Sequence, residues 1–263
     1  MIPIYDDSNY HELLNQVDDE GIARMYGSVP RDWAKQPFGS SGVPFGDKYA
    51  IIDRSEWGDR LREQEKEKAT LSDLIDHLKI PPYDQNGTNF CWAAGACMAL
   101  TIARARANLP YIDLSFASIA APINRYRNQG GWTANAIEYI KDHGVLPASQ
   151  WPHNYYRNDN YEDKSLRAEN KIFEFIDVID QNMDREERFD AVVSAGFYGF
   201  SCAVSFNFWG HAVASLGLAK AGRDWGHMIY NSWGGGYGEN GKGILAGSKR
   251  SPDNCEAIRV SSQ

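Results

Sequence analysis

The segment CWAAGACMALTIARARAN, which begins at Cys91, consists mostly of small and helix-favouring residues. It predicts one helix of about 17 residues whose small side chains allow close packing. The polar, glycine-containing stretch DQNGTN comes shortly before it, which places Cys91 near the N-terminus of that helix. The helix dipole and the free backbone N–H groups at that end favour a thiolate. Cys91 is therefore either an activated thiol or, as most lone cysteines are, a small buried residue.

Helical spacing dominates the middle of the chain, and strand-like runs dominate its end. Helices are predicted for SEWGDRLREQEKEKATLSDLIDHLKI, with Ser55 as its N-cap, for TANAIEYIKDHG and for REERFDAVVSAG. The runs SCAVSF, HAVASLGLA, WGHMIYNSW, GKGILA and EAIRV are short, β-rich and separated by glycine turns. This order predicts an α+β fold of two lobes, a helical one at about residues 84–150 and a β-rich one at about residues 195–263.

The first 50 residues lack sustained periodicity and are rich in turn-forming residues. They predict an extended N-terminal arm, residues 1–50, with one short helix near Tyr10–Val17, ahead of a single domain at residues 51–263. Three interpretations of the arm stay open at this point. It is an inhibitory cover, a docking arm for a protein partner, or a plain ordered extension.

Composition and charge exclude several classes of protein. The net charge of −8 argues against a nucleic-acid partner, which requires a basic surface. No run approaches the roughly 18 apolar residues of a membrane span, and the N-terminus has neither the basic nor the apolar part of a signal peptide. The four cysteines lack metal-ligand spacing, so we expect no metal site, no disulfide framework and a reducing compartment.

Thiol chemistry explains three stretches of the sequence together, namely QNGTNFCW, WGHAVASLGL and IYNSWGGGYGENGKG. A thiolate nucleophile needs an imidazole partner, and His211 opens a strand-like run. The imidazole needs an orienting acceptor on its other nitrogen, and Asn231 ends a later strand-like run. Cys91, His211 and Asn231 thus supply a nucleophile, a base and an orienting residue in chain order.

At these residues the sequence resembles the papain-like (C1) family of cysteine peptidases, over roughly residues 50–260. The resemblance implies the papain-like fold, with a helical left lobe that starts at the nucleophile helix and a β-barrel-like right lobe. It implies peptide hydrolysis by Cys91, His211 and Asn231, with Gln85, six positions before Cys91, as the oxyanion donor. The other matching segments are Trp92, the pair Gly130-Gly131, His211-Ala212-Val213, Asn231-Ser232-Trp233-Gly234 and Gly238-Glu239-Asn240-Gly241.

The resemblance also implies a substrate-binding surface. Trp233 would shield the hydrogen bond between His211 and Asn231, and Trp92 would be a second supporting residue. Trp132, Thr133, Val204 and Ala212 would be walls of an apolar pocket, although core packing explains them about as well. The implied substrate-binding residues are Gly130, Gly131, Trp132, Thr133, Gly210 and Ala212.

The chain departs from the family pattern at several positions. Thr88 and Asn128 stand where the family usually has two disulfide-bonded cysteines, which agrees with a reducing compartment. Phe90 replaces a small residue and is expected to reshape the cleft floor, and Gly210 replaces a common aspartate or asparagine. The arm lacks the helical pattern of an inhibitory prodomain and is loosely similar to the heads of papain-like proteins from bacteria and bacterial viruses.

The sequence thus predicts a cysteine peptidase that acts on polypeptides through a thiol acyl-enzyme, without a metal or other cofactor. The alternative is a papain-like scaffold that serves as a structural or interaction protein, with the arm binding a protein partner in a virus particle. Isopeptide cleavage or acyl transfer would use the same acyl-enzyme, and sequence does not separate them. The expected location is cytoplasmic or virion-associated, without a signal peptide.

Overall fold

The computed structural model describes residues 1–40, 42–158 and 164–260. A mixed eight-stranded sheet with the strand order β1-β7-β6-β5-β4-β8-β3-β2 lies at its centre. The strands are β1 (Ile4–Tyr5), β2 (Val43–Pro44), β3 (Glu174–Asp177), β4 (Ser201–Phe206), β5 (His211–Ala221), β6 (Asp224–Tyr230), β7 (Lys242–Leu245) and β8 (Asn254–Arg259). The α-helices are α1 (Phe45–Lys48), α2 (Arg54–Glu67), α3 (Leu71–Leu78), α4 (Cys91–Arg106), α5 (Ala117–Ile123), α6 (Thr133–His143), α7 (Lys164–Glu169) and α8 (Arg185–Phe197).

The predicted α+β class is confirmed, and the five β-rich runs form the strands β4 to β8. The long charged segment forms two helices instead of one unit. Ser55 lies inside α2, and Asp53 is the N-cap, because its carboxylate accepts a hydrogen bond from the Ser55 N–H. Thr70 and Asp73 form a capping box that starts α3. Residues 261–263, at the end of the predicted β-rich lobe, lie outside the described residues.

Helix α4 is the central helix of the fold, and every residue from Cys91 to Ala105 is buried. Its small side chains let it lie directly on the sheet. A Cβ atom added at Gly95 would be only 3.1 Å from the backbone nitrogen of Val213 in β5. This close approach places the N-terminus of α4 next to the beginning of β5, where His211 is located.

The N-terminal arm is part of the sheet at both of its edges. Strand β1 pairs in parallel with β7, and β2 pairs in parallel with β3. Between them lies a short 3-10 helix, Tyr10–Asn15, whose Leu13 side chain is fully buried. The chain between these two anchors crosses the end of the sheet at which β5 begins.

No helix in the described part of the chain has the length and apolar character needed to cross a membrane.

Candidate active site

His211 and Asn231 form the polar centre of the candidate site. His211 begins β5 and Asn231 follows β6, so two neighbouring antiparallel strands bring the side chains to one end of the sheet. His211 Nε2 lies 2.7 Å from Asn231 Oδ1. Because an amide oxygen only accepts, Nε2 carries the proton and Nδ1 keeps a lone pair. Nδ1 has no hydrogen-bond partner within the described residues, and it is the atom available to act as a base.

Aromatic rings enclose the imidazole of His211. The ring centroid of Trp209 lies 4.5 Å from that of His211, the centroid of Trp233 lies 4.7 Å away, and the centroid of Tyr26 lies 6.1 Å away. Burial lowers the pKa of His211 to about 4, although its hydrogen bond with Asn231 acts in the opposite direction. Trp233 lies against the imidazole, as the resemblance implied, whereas Trp209 and Tyr26 were not predicted.

Cys91 is the first residue of α4 and is fully buried. Burial raises the pKa of its thiol to about 11, while backbone N–H groups, chiefly those of Ala212 and Gly27, act in the opposite direction. Burial of the thiol in this covered state therefore opposes the ionisation that the helix end is expected to favour.

Gln85 is held by its surroundings in one orientation. Its Oε1 accepts a hydrogen bond from Ser232 Oγ at 2.7 Å, and its Nε2 donates to the Thr88 carbonyl at 2.8 Å. The second hydrogen on Nε2 is directed to the carbonyl of Met25 in the N-terminal arm, at 3.1 Å. The Met25 carbonyl oxygen of the arm therefore accepts a hydrogen bond from Gln85 Nε2, the donor that is predicted to bind an oxyanion.

The loop that carries Gln85 is tied to the loop before the glycine pair by amide hydrogen bonds. Asn128 Oδ1 accepts from the Asn89 N–H at 2.7 Å, and Asn128 Nδ2 donates to the Gly87 carbonyl at 3.1 Å. These bonds join the two places where the family usually has a disulfide. All four cysteines of the chain are free thiols.

Replacing Asn128 by alanine is expected to lower the free energy of unfolding by about 1–2 kcal/mol, because two loop backbone groups lose their partner. Urea unfolding measures this change. Asn182→Ala is a suitable control, because its side chain bonds only within an exposed turn and its loss is expected to cost less than about 0.5 kcal/mol. Equal values for the two variants would show that Asn128 does not hold the loops together.

Residues 24–31 of the arm, here called the covering segment, lie across the cleft between Gly131 and Gly210. The N–H groups of Gly27 and Ser28 donate to the Gly210 carbonyl at 3.2 and 3.0 Å. Gly131 donates to the Gly27 carbonyl at 2.8 Å and accepts from the Val29 N–H at 3.0 Å. Trp132 Nε1 donates to the Pro30 carbonyl at 2.7 Å. Gly131, Gly210 and Trp132 thus all bind a peptide backbone, which in this state belongs to the chain itself.

The covering segment presents backbone N–H groups to the Cys91 sulfur. The backbone N–H groups of Gly27 and Ser28 donate hydrogen bonds to the Cys91 sulfur, which lowers the pKa of the thiol against the larger effect of burial. An N–H group is not electrophilic, so a thiol does not attack it. Ser28 and Gly131 form a parallel bridge. The carbonyl oxygens of Met25 and Gly27 accept hydrogen bonds from Gln85 Nε2 and the Gly131 N–H.

Several other predicted residues have roles in packing. Trp92 lies beneath Gly131, because a Cβ atom at Gly131 would be 2.5 Å from the Trp92 ring. Thr133 begins α6 and is buried. Val204 pairs with Val213 inside the sheet and belongs to its hydrophobic core, so the alternative of core packing applies to it.

Phe90, which directly precedes Cys91, packs inside the protein. Its side chain is fully buried, and its ring packs edge-on against Tyr156 with a centroid distance of 5.9 Å. Phe90 precedes α4 as its N-cap residue and belongs to the hydrophobic core around that helix. Its influence on the cleft floor stays a prediction.

Comparison with known proteins finds cysteine proteases among the relatives of this chain. No protein-family model matches the chain. The chain is 26% identical over 202 residues to digestive cysteine proteinase 3 of Homarus americanus, and 29% identical over 199 residues to cathepsin L 2 of Paramecium tetraurelia. Each match covers 68% of this chain and 60% of the relative, so the chain matches well under two thirds of the length of either protein.

The fold is shared with xylellain, a cysteine protease from Xylella fastidiosa. The TM-score is 0.58 at 16% identity, and the match covers 90% of this chain and 96% of xylellain. The chain therefore has the papain-like fold, as the resemblance implied, and its relatives by sequence are cathepsin L-like and other cysteine proteinases.

Proposed function

We propose that this chain, a divergent relative of the papain-like cysteine proteinases, is itself a cysteine peptidase with Cys91 as its nucleophile. One observation carries the proposal most directly. His211 donates from Nε2 to Asn231 while its Nδ1 has no partner within the described residues, and the N–H of its neighbour Ala212 acts on the Cys91 sulfur. A base in the correct tautomer thus directly precedes, in the chain, a residue whose N–H contacts a thiol at a helix N-terminus.

The reaction follows from these groups. Once the covering segment has moved, the Cys91 proton passes to His211 Nδ1, and the thiolate sulfur attacks the scissile carbonyl carbon while Asn231 keeps the ring oriented. Gln85 Nε2 donates to the oxygen that becomes negative, a contribution of about 3–4 kcal/mol for one such donor. The imidazolium returns its proton to the departing amine, leaving a thioester. Water, deprotonated by His211, then attacks the thioester, and the acid product and the free thiol are released.

We further propose that the state described here is latent. The covering segment occupies Gly131, Gly210 and Gln85, which are the groups that a substrate would use, and it buries Cys91 and His211. Of the three interpretations of the arm, an inhibitory cover is the one these contacts support. Because β1 and β2 anchor the arm at both sheet edges, the covering segment can leave the cleft while both anchors stay paired.

The location is likewise a proposal. Free thiols at all four cysteines, and amide hydrogen bonds where the family usually has a disulfide, support a reducing compartment such as the cytoplasm.

The test is turnover of a pooled library of internally quenched peptides by the full chain with Gly27→Ala, which is chosen to displace the covering segment. Adding Cys91→Ala to that chain is expected to lower turnover by roughly 10³-fold or more, with the circular dichroism spectrum retained. A chain that neither cleaves any peptide nor reacts at Cys91 would contradict the proposal.

The second candidate, a scaffold without proteolysis, is supported by the same arm, which completes the sheet and fills the cleft. It predicts that Gly27→Ala produces neither cleavage nor Cys91 labelling, although the segment has moved.

A further inference from the structure

The guanidinium of Arg24 occupies a defined site at one end of the cleft. Arg24 Nη1 lies 3.1 Å from Asp84 Oδ1, and Nη2 donates to the Trp233 carbonyl at 3.0 Å. The Arg24 side chain is only 9% exposed. Asp84 directly precedes Gln85, and Trp233 follows Asn231 by two positions. The site is therefore built from the two loops that carry the oxyanion donor and the orienting residue.

The acceptors of this site are positioned by the main chain and do not depend on Arg24. Asp84 Oδ1 also accepts from the Asn86 N–H at 2.9 Å, and Asp84 forms an antiparallel bridge with Trp233. Gly234 packs closely against the Asp84 carboxylate, since a Cβ atom at Gly234 would be 3.0 Å from Asp84 Oδ2. When the covering segment leaves, a fixed carboxylate and a carbonyl remain, directed at the same place.

The position of the site along the cleft follows from the contacts of the covering segment. Val29 pairs with Gly131, whereas Tyr26 lies against His211 and Trp233, with a centroid distance of 5.8 Å to the Trp233 ring. His211 is the group that would protonate the departing amine. Tyr26 and Arg24, two residues apart, therefore lie in succession on the leaving-group side of Cys91.

We infer, resting on the proposed function, that this side of the cleft selects peptides with an arginine shortly after the scissile bond. Asp84 and the Trp233 carbonyl would accept hydrogen bonds from two nitrogens of its guanidinium. Arginine fits better than lysine, because two separated acceptors match a planar fork. An aromatic residue between that arginine and the scissile bond would pack on Trp233, as Tyr26 does in the latent state. The covering segment thus acts as an internal mimic of the substrate's side chains.

Binding of a matched pair of peptides tests this inference without requiring catalysis. The protein is the full chain with Cys91→Ala, Gly27→Ala and Arg24→Ala, which keeps peptides intact and empties the site. The probes are fluorescein-Ala-Val-Gly-Tyr-Met-Arg-amide and the same peptide with neutral citrulline in place of arginine. Fluorescence anisotropy is expected to show that the arginine peptide binds about tenfold more tightly than the citrulline peptide. This factor corresponds to the contribution of one charge-assisted hydrogen bond.

Adding Asp84→Asn is expected to remove this preference, whereas Asp19→Asn, an exposed acidic residue near Gly236, is expected to keep it. Equal binding of the two peptides, no binding of either peptide, or a preference that survives Asp84→Asn would overturn the inference.

A separate experiment tests the proposed function. If the Gly27→Ala chain, which keeps Cys91, neither reacts with an epoxide nor cleaves any peptide, the proposed function is contradicted, whichever result the binding experiment gives.

Discussion

Full-length protein carrying Gly27→Ala is expected to react with a thiol-directed epoxide at Cys91 at least about tenfold faster than the unchanged chain. A Cβ atom at Gly27 would lie 2.0 Å from the Asn89 carbonyl oxygen and 2.6 Å from its carbon, both in the backbone. The covering segment must therefore move away, and its bonds to Gly210 and Gly131 weaken. Each 1.4 kcal/mol lost from the covered state raises the uncovered fraction about tenfold. Peptide mapping by mass spectrometry measures the rate.

The control for this prediction is Gly46→Ala, which also adds one methyl group to the arm. Nothing lies within 4 Å of a Cβ atom at Gly46, so its labelling rate is expected to match that of the unchanged chain. Equal rates for Gly27→Ala and Gly46→Ala would mean that the covering segment does not limit access to Cys91.

The second large effect concerns the anchor at the end of the covering segment. Arg31 Nη2 lies 2.7 Å from Asp177 Oδ2, and Nη1 donates to Asp177 Oδ1 and Asn254 Oδ1. The two charged side chains are only 4% and 2% exposed. Arg31→Met is expected to lower the free energy of unfolding by about 3–5 kcal/mol, because it leaves a buried carboxylate without its counter-charge. Urea unfolding gives the value.

Glu256 is a second buried acidic group near Asp177, and it makes the stability lost in Arg31→Met harder to recover. Burial, together with the charge of Asp177, raises the pKa of Glu256 to about 8, while Arg31 acts in the opposite direction. The double variant Arg31→Met/Asp177→Asn removes both charges and is expected to recover part of the lost stability. If Arg31→Met alone costs less than about 1 kcal/mol, the buried pair does not anchor the arm.

The candidate site is predicted where residues suited to thiol chemistry coincide with element boundaries. Cys91 and His211 each begin an element and Asn231 follows one, so spacing and chain order predicted their convergence. The arm was not predictable in the same way, because β1 and β2 are two residues long and the covering segment has no periodicity. Its contacts are mainly backbone hydrogen bonds to distant loops, which leave no pattern in the sequence. The directions of the pKa shifts of Cys91 and His211 were not predicted either, because they follow from burial in the folded chain.

Cys91 and His211 are expected to become a reactive thiolate and imidazolium once the covering segment moves. In the covered state burial sets the pKa of Cys91 to about 11 and that of His211 to about 4. Release of the covering segment hydrates both groups, so the pKa of the thiol falls and that of the imidazole rises. The decisive measurement is the rate of Cys91 alkylation between pH 5 and 9 in Gly27→Ala, with and without His211→Gln.

Gly27→Ala is expected to keep fast alkylation down to about pH 6, because the imidazolium stabilises the thiolate. With His211→Gln added, the rate is expected to follow an isolated thiol with a pKa near 8.5. Identical pH profiles for the two chains would contradict the claim that His211 activates Cys91.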